Sequence, residues 1–428
     1  MVIAAGLPPR RVAIIGAGPA GLMAAERLAV HGISVDVYEQ KPTPARKLLM
    51  AGRGGLNLTN AEPLDIMLAR YTPRHRLLDM ALRNFTPNDL RGFAGRLGQD
   101  TFVGSSGRVF PRAMKASPLV RAWLGRLADL GVAIHTNHRL TGFHATTRRP
   151  LVADLSSVSG PVEIDADAVL LTAGGASWPR LGSDGAWAEM LAAAGIAIEP
   201  LVASNCAVHI PWSDHFRMRH AGAPLKRIAL TAGGIRHRGE PVVTARGLEG
   251  GPVYAAGPAI RDLLSKPELK AELQIDLRPD LDHATLERLL SRPRSKQSTA
   301  TWLRKSAGLS PVAMALLREP GNVPIPLAPA ALAARIKALH LGITGLAGLD
   351  RAISTAGGIR LDELDDNMML AAWPGLFAAG EMLDWDAPTG GYLLQATFAT
   401  AVAAADGIAR WLSLRAEQAG DPSRPPAG

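Results

Sequence analysis

The stretch Val12-Ala13-Ile14-Ile15-Gly16-Ala17-Gly18-Pro19-Ala20-Gly21, followed downstream by Glu39, decides the reading of this chain. Four apolar residues predict a buried parallel strand, and Gly16, Gly18 and Gly21 fill a G-x-G-x-x-G frame. The text from Leu22 to Val30 continues as a helix, and Ser34 to Tyr38 as a second strand that ends at Glu39. In such a unit the first glycine permits a tight turn, the second lets the backbone approach a pyrophosphate, and the third lets helix and strand pack closely. The helix N-terminus offers unpaired N–H groups and a positive dipole end to phosphates. Glu39 falls where an acid accepts hydrogen bonds from an adenosine ribose. Glycine triplets alone are common; strand, triplet, helix, strand and acid in this order predict dinucleotide binding.

The chain has 428 residues, 47% of them hydrophobic, enough for two or three domains with real cores. Met1 to Arg10 has no basic n-region and no long apolar run, so it reads as a lead-in to the first strand and not as a signal peptide. No eighteen uninterrupted apolar residues occur, which argues against a membrane span. Cys206 is the sole cysteine, which excludes intrachain disulfides and cysteine metal clusters and fits a cytoplasmic protein. His135 and His138 form a His-x-x-His frame inside a predicted strand without partner ligands, so no metal site is expected. No nucleophile-elbow motif supports hydrolase chemistry.

Elements alternate between strand and helix in the first half. Leu48 to Asn60 is a glycine-rich passage expected to lie outside the core. Helical text follows over Ile66 to Arg83, Asn88 to Leu97 and Leu119 to Leu130, with a hairpin at Thr101 to Pro111 and a strand at Val132 to Leu140. The apolar strand Ala168 to Thr172 runs into Ala173-Gly174-Gly175. From about Ile196 short strand candidates lie between turns, then helix-like text spans Leu281 to Leu317 and a Pro-rich linker Pro320 to Pro329. Strand-then-glycine text returns at Asp350 to Gly358 and Gly375 to Gly380, and Ala396 to Leu412 closes as a helix. This predicts a nucleotide-binding domain over 1–193 and 345–415, split by an inserted module over 194–344, with a disordered tail over 416–428.

Charge follows the same division. The formal charge is +9, and residues 194–344 hold 20 Lys and Arg against 12 Asp and Glu. A basic module can attract a polyanion such as RNA by counterion release; an arginine-rich solvated surface is the plainer reading. Leu376 to Ala379 is a small-residue strand ending in Gly380-Glu381, where an acid can bind a ribityl hydroxyl. Gly390-Gly391-Tyr392 opens the last helix, which can aim N–H groups at the electron-rich end of a flavin ring.

Across nearly its whole length the chain resembles the BaiN-like (YhiN-like) family of FAD-dependent oxidoreductases. The resemblance is carried by Val12 to Gly21, Lys47-Leu48-Leu49-Met50-Ala51-Gly52-Arg53-Gly54-Gly55-Leu56-Asn57-Leu58-Thr59-Asn60, and Gly107 to Pro111. It continues through Thr355 to Gly358, Gly380 to Asp384 and Gly390-Gly391-Tyr392-Leu393-Leu394-Gln395-Ala396. It implies a glutathione-reductase-like α/β fold: a Rossmann-type FAD-binding domain with an inserted β-barrel-like module and a small helical piece. Two departures stand out. Leu56 replaces the family's usual cysteine, which removes any chemistry needing that thiol, and Leu393 replaces the usual asparagine.

Residues and resemblance together imply an FAD site built from Gly16, Gly18, Pro19, Ala20, Gly21, Glu39 and Gln40, then Lys47, Gly52, Gly54, Gly55 and Asn57. Ala173, Gly174, Gly380, Glu381, Gly390, Gly391 and Tyr392 complete it. Tyr392 is the candidate catalytic residue, with Glu381 and Asp384 as other acids, and Arg53 and Arg108 as anchors for an anion. No second dinucleotide fingerprint occurs, so NAD(P)H is expected to dock transiently as reductant. The expected activity is reduction of an unsaturated substrate, with a uridine in ribosomal RNA leading. A steroid-like or other small molecule, or a non-catalytic flavin-binding redox sensor, is the alternative.

Overall fold

β1 (Arg11–Ile15) is buried from Val12 onward and leads through α1 (Pro19–Val30) into β2 (Ser34–Glu39). A strand covered on both faces must be apolar throughout, which explains the unbroken run where an exposed sheet would alternate. β3 (Ala133–Thr136), β4 (Ala168–Leu171) and β5 (Leu376–Ala378) complete a parallel sheet in the order β5-β4-β1-β2-β3. Ile15 pairs with Tyr38 on one side and Leu171 on the other. The strand order therefore reverses at β1, and the carboxyl end of such a strand leaves a crevice for ligand. The structure, a computed structural model, describes residues 10–420 apart from 146–150, 267, 269, 295 and 320–323.

Between β3 and β4 the chain makes a three-stranded antiparallel meander, His138–His144, Leu151–Ser157 and Gly160–Ala166. α2 (Arg46–Ala51) follows β2, and α3 (Tyr392–Gly420) closes the fold. α3 packs against α1, where Arg27 donates to Asp406 at 2.8 Å. Its Phe398 joins Phe93 and Trp123, with ring centroids 5.0 to 6.1 Å apart, in a buried aromatic cluster. By length and composition α3 could cross a membrane, yet 72% of its most apolar window is buried inside the fold.

The chain forms two compact units, Met1–Val202 with Thr355–Gly428, and Ala203–Ser354, where the sequence had suggested bounds of 194 and 344. The second unit carries two four-stranded antiparallel sheets. In one, Val242–Thr244, Gly247–Glu249, Val208–His209 and Gly345–Leu346 are neighbours; in the other, Ile235–Gly239, Ile228–Ala232, Glu272–Asp276 and Leu339–Gly342. The N–H of Leu225 reaches Pro241 O and that of Val243 reaches Ala223 O, so the stretch before Ile228 bonds the edge strand Val242–Thr244. At the other side Leu339–Gly342 of one sheet leads directly into Gly345–Leu346 of the other. Val208, Leu230, Val243, Leu248, Leu273, Ile275 and Leu341, from both sheets, are buried in one cluster.

Several expected elements differ. Leu48, Leu56 and Leu58 are buried, so the glycine-rich passage belongs to the core: its leucines fill it while the glycines bend it. The helical text over 66–83 is two helices, Leu64–Leu68 and Arg76–Asn84. The strand expected over 132–140 breaks at Asn137, which adopts φ +59°. Helix-like text over 281–317 resolves into His283–Leu290, Thr299–Ala307 and Pro311–Leu316, each opened by an Asp or Ser cap. Pro329 begins a helix, Pro329–Lys337, while 320–323 of the expected linker lie outside the described residues. α3 runs on to Gly420, so the expected tail is helical at its start; 421–428 lie outside the described residues.

Candidate functional site

The turn after β1 shows why its glycines are there. Gly16 adopts φ +111°, and a Cβ on it would lie 2.4 Å from Thr172 O. A Cβ on Gly21 would lie 1.9 Å from Gly16 O, so α1 can approach the strand only without a side chain. Gly18 differs: no atom lies within 4 Å of its Cβ position. It caps α1 with no side-chain bond, Pro19 follows, and no acid occupies the first turn. The space beside Gly18 is open and no acid in the first turn screens the positive end of this twelve-residue helix, as an anion site requires. Ala20 packs behind it, 2.9 Å from the Cβ position of Gly380.

Glu39 ends β2 and is buried. Its Oε2 accepts from Ala17 N at 3.0 Å and its Oε1 from Lys41 N at 2.8 Å. Burial pushes this carboxyl up, and the two backbone donors work against the shift. Gln40 donates to Gly182 O at 2.5 Å and holds the 181–183 loop near Glu39; Gly182's Cβ position is 3.6 Å from Glu39 Oε1. Ser183 Oγ is buried there with no hydrogen-bond partner among the described atoms.

A second cluster lies on the strand ends. Lys47 Nζ reaches Ser177 Oγ at 2.5 Å and Glu381 Oε2 at 2.7 Å, while Glu381 Oε1 accepts from Thr355 N at 3.1 Å. Thr355 Oγ1 in turn accepts from Ala176 N at 2.8 Å. Ala173 N faces Met382 Sδ, and Gly174 O accepts from Trp187 Nε1. The three stretches after β2, β4 and β5 are therefore tied into one ring. Burial and the charge of Glu199 push Asp384 up, and Asp384 N bonds Ile359 O.

A third cluster surrounds the start of α3. Gly390 O accepts from Asn60 Nδ2 at 3.1 Å, and Tyr392 O accepts from Tyr71 OH at 2.9 Å. Gly391 adopts φ +100°, and its Cβ position is 2.3 Å from the carbonyl carbon of Thr59. Sequence reasoning expected Gly391 to be bare so that a flavin ring could approach; the tight neighbour is instead the Thr59 backbone. Gly52 similarly packs against Ala116, and Gly55, at φ +115°, against Met114, whereas Gly54 is open. Asn57 Oδ1 is buried without a partner among the described atoms. Arg108 lies near Gly390, with Nε 3.8 Å from its Cβ position; the side chain of Arg53 lies outside the described residues. Ser177, Gly182 and Ser183 were missed, because small loop residues after Gly174-Gly175 carry no periodic signal.

In the His-x-x-His frame, His135 Nε2 bonds Asp36 at 2.8 Å and His138 Nδ1 bonds Thr136 O. On the meander, His144, Asp154 and Glu163 bring potential ligand atoms within 4.8 Å of one another, with His144 and Asp154 already hydrogen-bonded.

The 3-dehydro-bile acid delta(4,6)-reductase of Clostridium scindens is 26% identical over 91% of this chain and 97% of its own length. The ribosomal RNA dihydrouridine synthase of Haemophilus influenzae is 25% identical over 93% and 98%. The Sdh1 complex of Mycobacterium smegmatis in the apo form shares the fold, at TM-score 0.51 and 14% identity, with 99% of this chain and 71% of that one covered. Residues 10–407 match the HI0933-like protein Rossmann domain, and the chain belongs to that family of FAD-dependent oxidoreductases.

Proposed function

We propose that this enzyme saturates a carbon–carbon double bond conjugated to a carbonyl, using electrons that NAD(P)H delivers through bound FAD. The observation that carries the reading is the pair of full-length relatives. One is named for reducing a bile acid's delta(4,6) unsaturation and the other for making dihydrouridine, which is uridine with its C5–C6 bond saturated. Both are additions of a hydride and a proton across a conjugated alkene.

The residues present fit the cofactor. The N-terminus of α1 at Gly18 to Ala20 would hold the pyrophosphate, and Glu39 the adenosine ribose. Glu381, held by Lys47 and Thr355, would bind the ribityl chain, with Ala173 and Gly174 beside it. Gly54, Asn57 and the start of α3 would hold the ring. FAD when bound supplies the hydride chemistry, and the chain supplies binding, orientation and protons.

A uridine in ribosomal RNA is the leading substrate. Between Ala203 and Ser354 Lys and Arg outnumber Asp and Glu by 21 to 12, while the remainder of the chain is balanced at 26 each. The whole excess of positive charge thus sits on the second unit, as a polyanionic substrate favours. A small-molecule enone is the second reading, favoured by the slightly higher identity to the bile acid reductase.

Nucleoside mass spectrometry of ribosomal RNA from cells with and without the gene tests the choice. Loss of a dihydrouridine on deletion supports the RNA reading, and unchanged RNA moves the assignment to small enones. Replacing Arg292, Arg294 and Lys296 by Ala should flatten the salt slope of RNA binding by up to about 3 while leaving the flavin spectrum intact.

A further inference from the structure

The helix Pro87–Arg96 has one buried face and one that carries a depression. Leu90, Phe93 and Ala94 are buried, with Phe93 against Trp123 and Phe398. Asn88, Arg91, Gly92 and Gly95 fall at i, i+3, i+4 and i+7, the spacing of a single helix face. They line a space of about 370 Å³, and Asp100, Thr101 and Arg112 line the rest of it. That second wall is fixed by backbone pairing: Thr101 stands opposite Pro111, and Arg112 N donates to Asp100 O at 2.8 Å.

The two glycines leave the helix face bare where packing does not require it. Glycine inside a helix is destabilising relative to alanine, so its presence calls for a reason. No atom lies within 4 Å of the Cβ position of Gly95, and the nearest to that of Gly92 is an η nitrogen of Arg96 at 3.7 Å. The bare positions keep the depression open, with Arg96 at its rim. Its cations also lack acids to balance them. Arg74, Arg76 and Arg83 on the preceding segment are all ion-paired. Arg91, Arg96 and Arg112 make no ion pair among the described residues. Arg91 is half-buried and held in place, with Nε donating to Thr101 Oγ1 at 3.2 Å and an η nitrogen to Asn88 Oδ1 at 3.4 Å. A guanidinium has five N–H donors, so most of its donors stay available to a ligand.

We infer that this depression binds the phosphate and ribose of a nucleotide that flanks the reacting base in an RNA substrate. The inference rests on the RNA reading above and adds a phosphate site outside the basic unit. Arginine forks match phosphate oxygens, and the space exceeds what one phosphate needs but suits a sugar-phosphate unit. Asp100 selects the kind of sugar: a carboxylate repels phosphate yet accepts from a ribose 2′-OH, which DNA lacks. The position suits a flanking nucleotide. Thr59–Asn60 pairs with Arg108–Pro111, which pairs with Thr101–Val103. Across the strands the depression is thus about 10 Å from Asn60, whose Nδ2 holds Gly390 at the start of α3.

Fluorescence anisotropy with a labelled single-stranded RNA, and a DNA of the same sequence, tests this on the FAD-loaded protein. Salt is varied between about 50 and 200 mM. Arg91→Ala with Arg112→Ala should weaken RNA binding on the order of 10-fold and flatten the salt slope by up to about 1.4, about 0.7 for each lost phosphate contact. Gly95→Leu fills the space with a better helix former, so the thermal midpoint should hold or rise while RNA affinity falls. RNA should bind more tightly than DNA, and Asp100→Ala should narrow the gap. RNA affinity and salt slope that match wild type in both the arginine and the Gly95→Leu variants overturn the inference. Equal binding of RNA and DNA by wild type overturns the role of Asp100. A raised KM for NADPH in the arginine variant, with RNA binding unmoved, assigns the phosphate to the reductant and also overturns it. Binding that depends on Arg91 and Arg112, without any change in ribosomal dihydrouridine on gene deletion, upholds this site while the proposed reaction on RNA fails.

Discussion

Lys47 and Glu381 are 334 positions apart in sequence, yet their charged groups meet at 2.7 Å. The contact joins α2 to the turn after β5, and Ser177 and Thr355 bring in two further segments. Both side chains are mostly covered, at 27% and 16% exposure. Lys47→Met should therefore cost about 1–3 kcal/mol, more than an exposed pair and less than a deeply buried one. Urea unfolding of Lys47→Met, Glu381→Gln and the double variant checks it. The double variant should be more stable than the sum of the single losses implies, because neither charge is then left alone.

Gly18 and Gly21 stand three residues apart in one motif and should respond in opposite ways. Gly18→Ala meets no atom and has an ordinary φ of −82°, so stability of the cofactor-free protein should change by less than about 1 kcal/mol. FAD retention should nevertheless fall, since the new methyl occupies the face offered to phosphate. Gly21→Ala drives a methyl into Gly16 O and should cost on the order of 3 kcal/mol with or without FAD. Thermal unfolding of stripped and FAD-loaded forms separates the two. Equal losses in the stripped proteins would refute the distinction.

Glu39 serves the fold as well as a ribose. Glu39→Ala strands the N–H groups of Ala17 and Lys41, each worth about 1–3 kcal/mol when left unpaired in a buried place. Both stability and flavin retention should drop, and Glu39→Gln, which keeps one acceptor oxygen, should recover part of each. Flavin released by heat should be FAD and not FMN. Released FMN would contradict the role given to Glu39.

Asp36 ties three neighbouring strands, accepting from Arg11 on β1 at 2.8 Å and bonding His135 on β3 at 2.8 Å. Burial pushes its carboxyl up, but the hydrogen bonds from His135 and Arg11 outweigh burial and hold it below the ordinary aspartate range. A depressed carboxyl contributes stability that is present above the unfolded value of about 3.9 and is lost as pH falls through the folded value. Asp36→Asn should thus be less stable than wild type at pH 7, with the gap closing as the buffer is taken below about pH 4. A gap that stays constant down to the acid transition would show that Asp36 contributes by packing alone.

The β1–α1–β2 unit was legible from sequence because its signals are local. An apolar run, glycines at fixed offsets and an acid at the next strand end each act on neighbouring residues, so Gly16, Gly21 and Glu39 stand in the turn and strand positions their spacing predicts. The apolar strands at Ala168 and Leu376 were legible for the same reason, and so was the change of rhythm after Ile196. Sequence also determined the uneven charge, since counting needs no coordinates.

Other features depended on which segments meet. Leucines 48, 56 and 58 have no helical or strand period, and only tertiary packing shows that they fill the core. Gly391 is bare because Thr59, brought from the far end of the chain, presses on it, not because of anything in its own turn. The gathering of the short strands around Leu230 and Leu248 includes backbone bonds such as that from Val243 to Ala223, which no residue type dictates. The partners of Lys47 are of the same kind. A charged side chain announces chemistry in the sequence, but its orientation is set by whichever groups the fold delivers beside it.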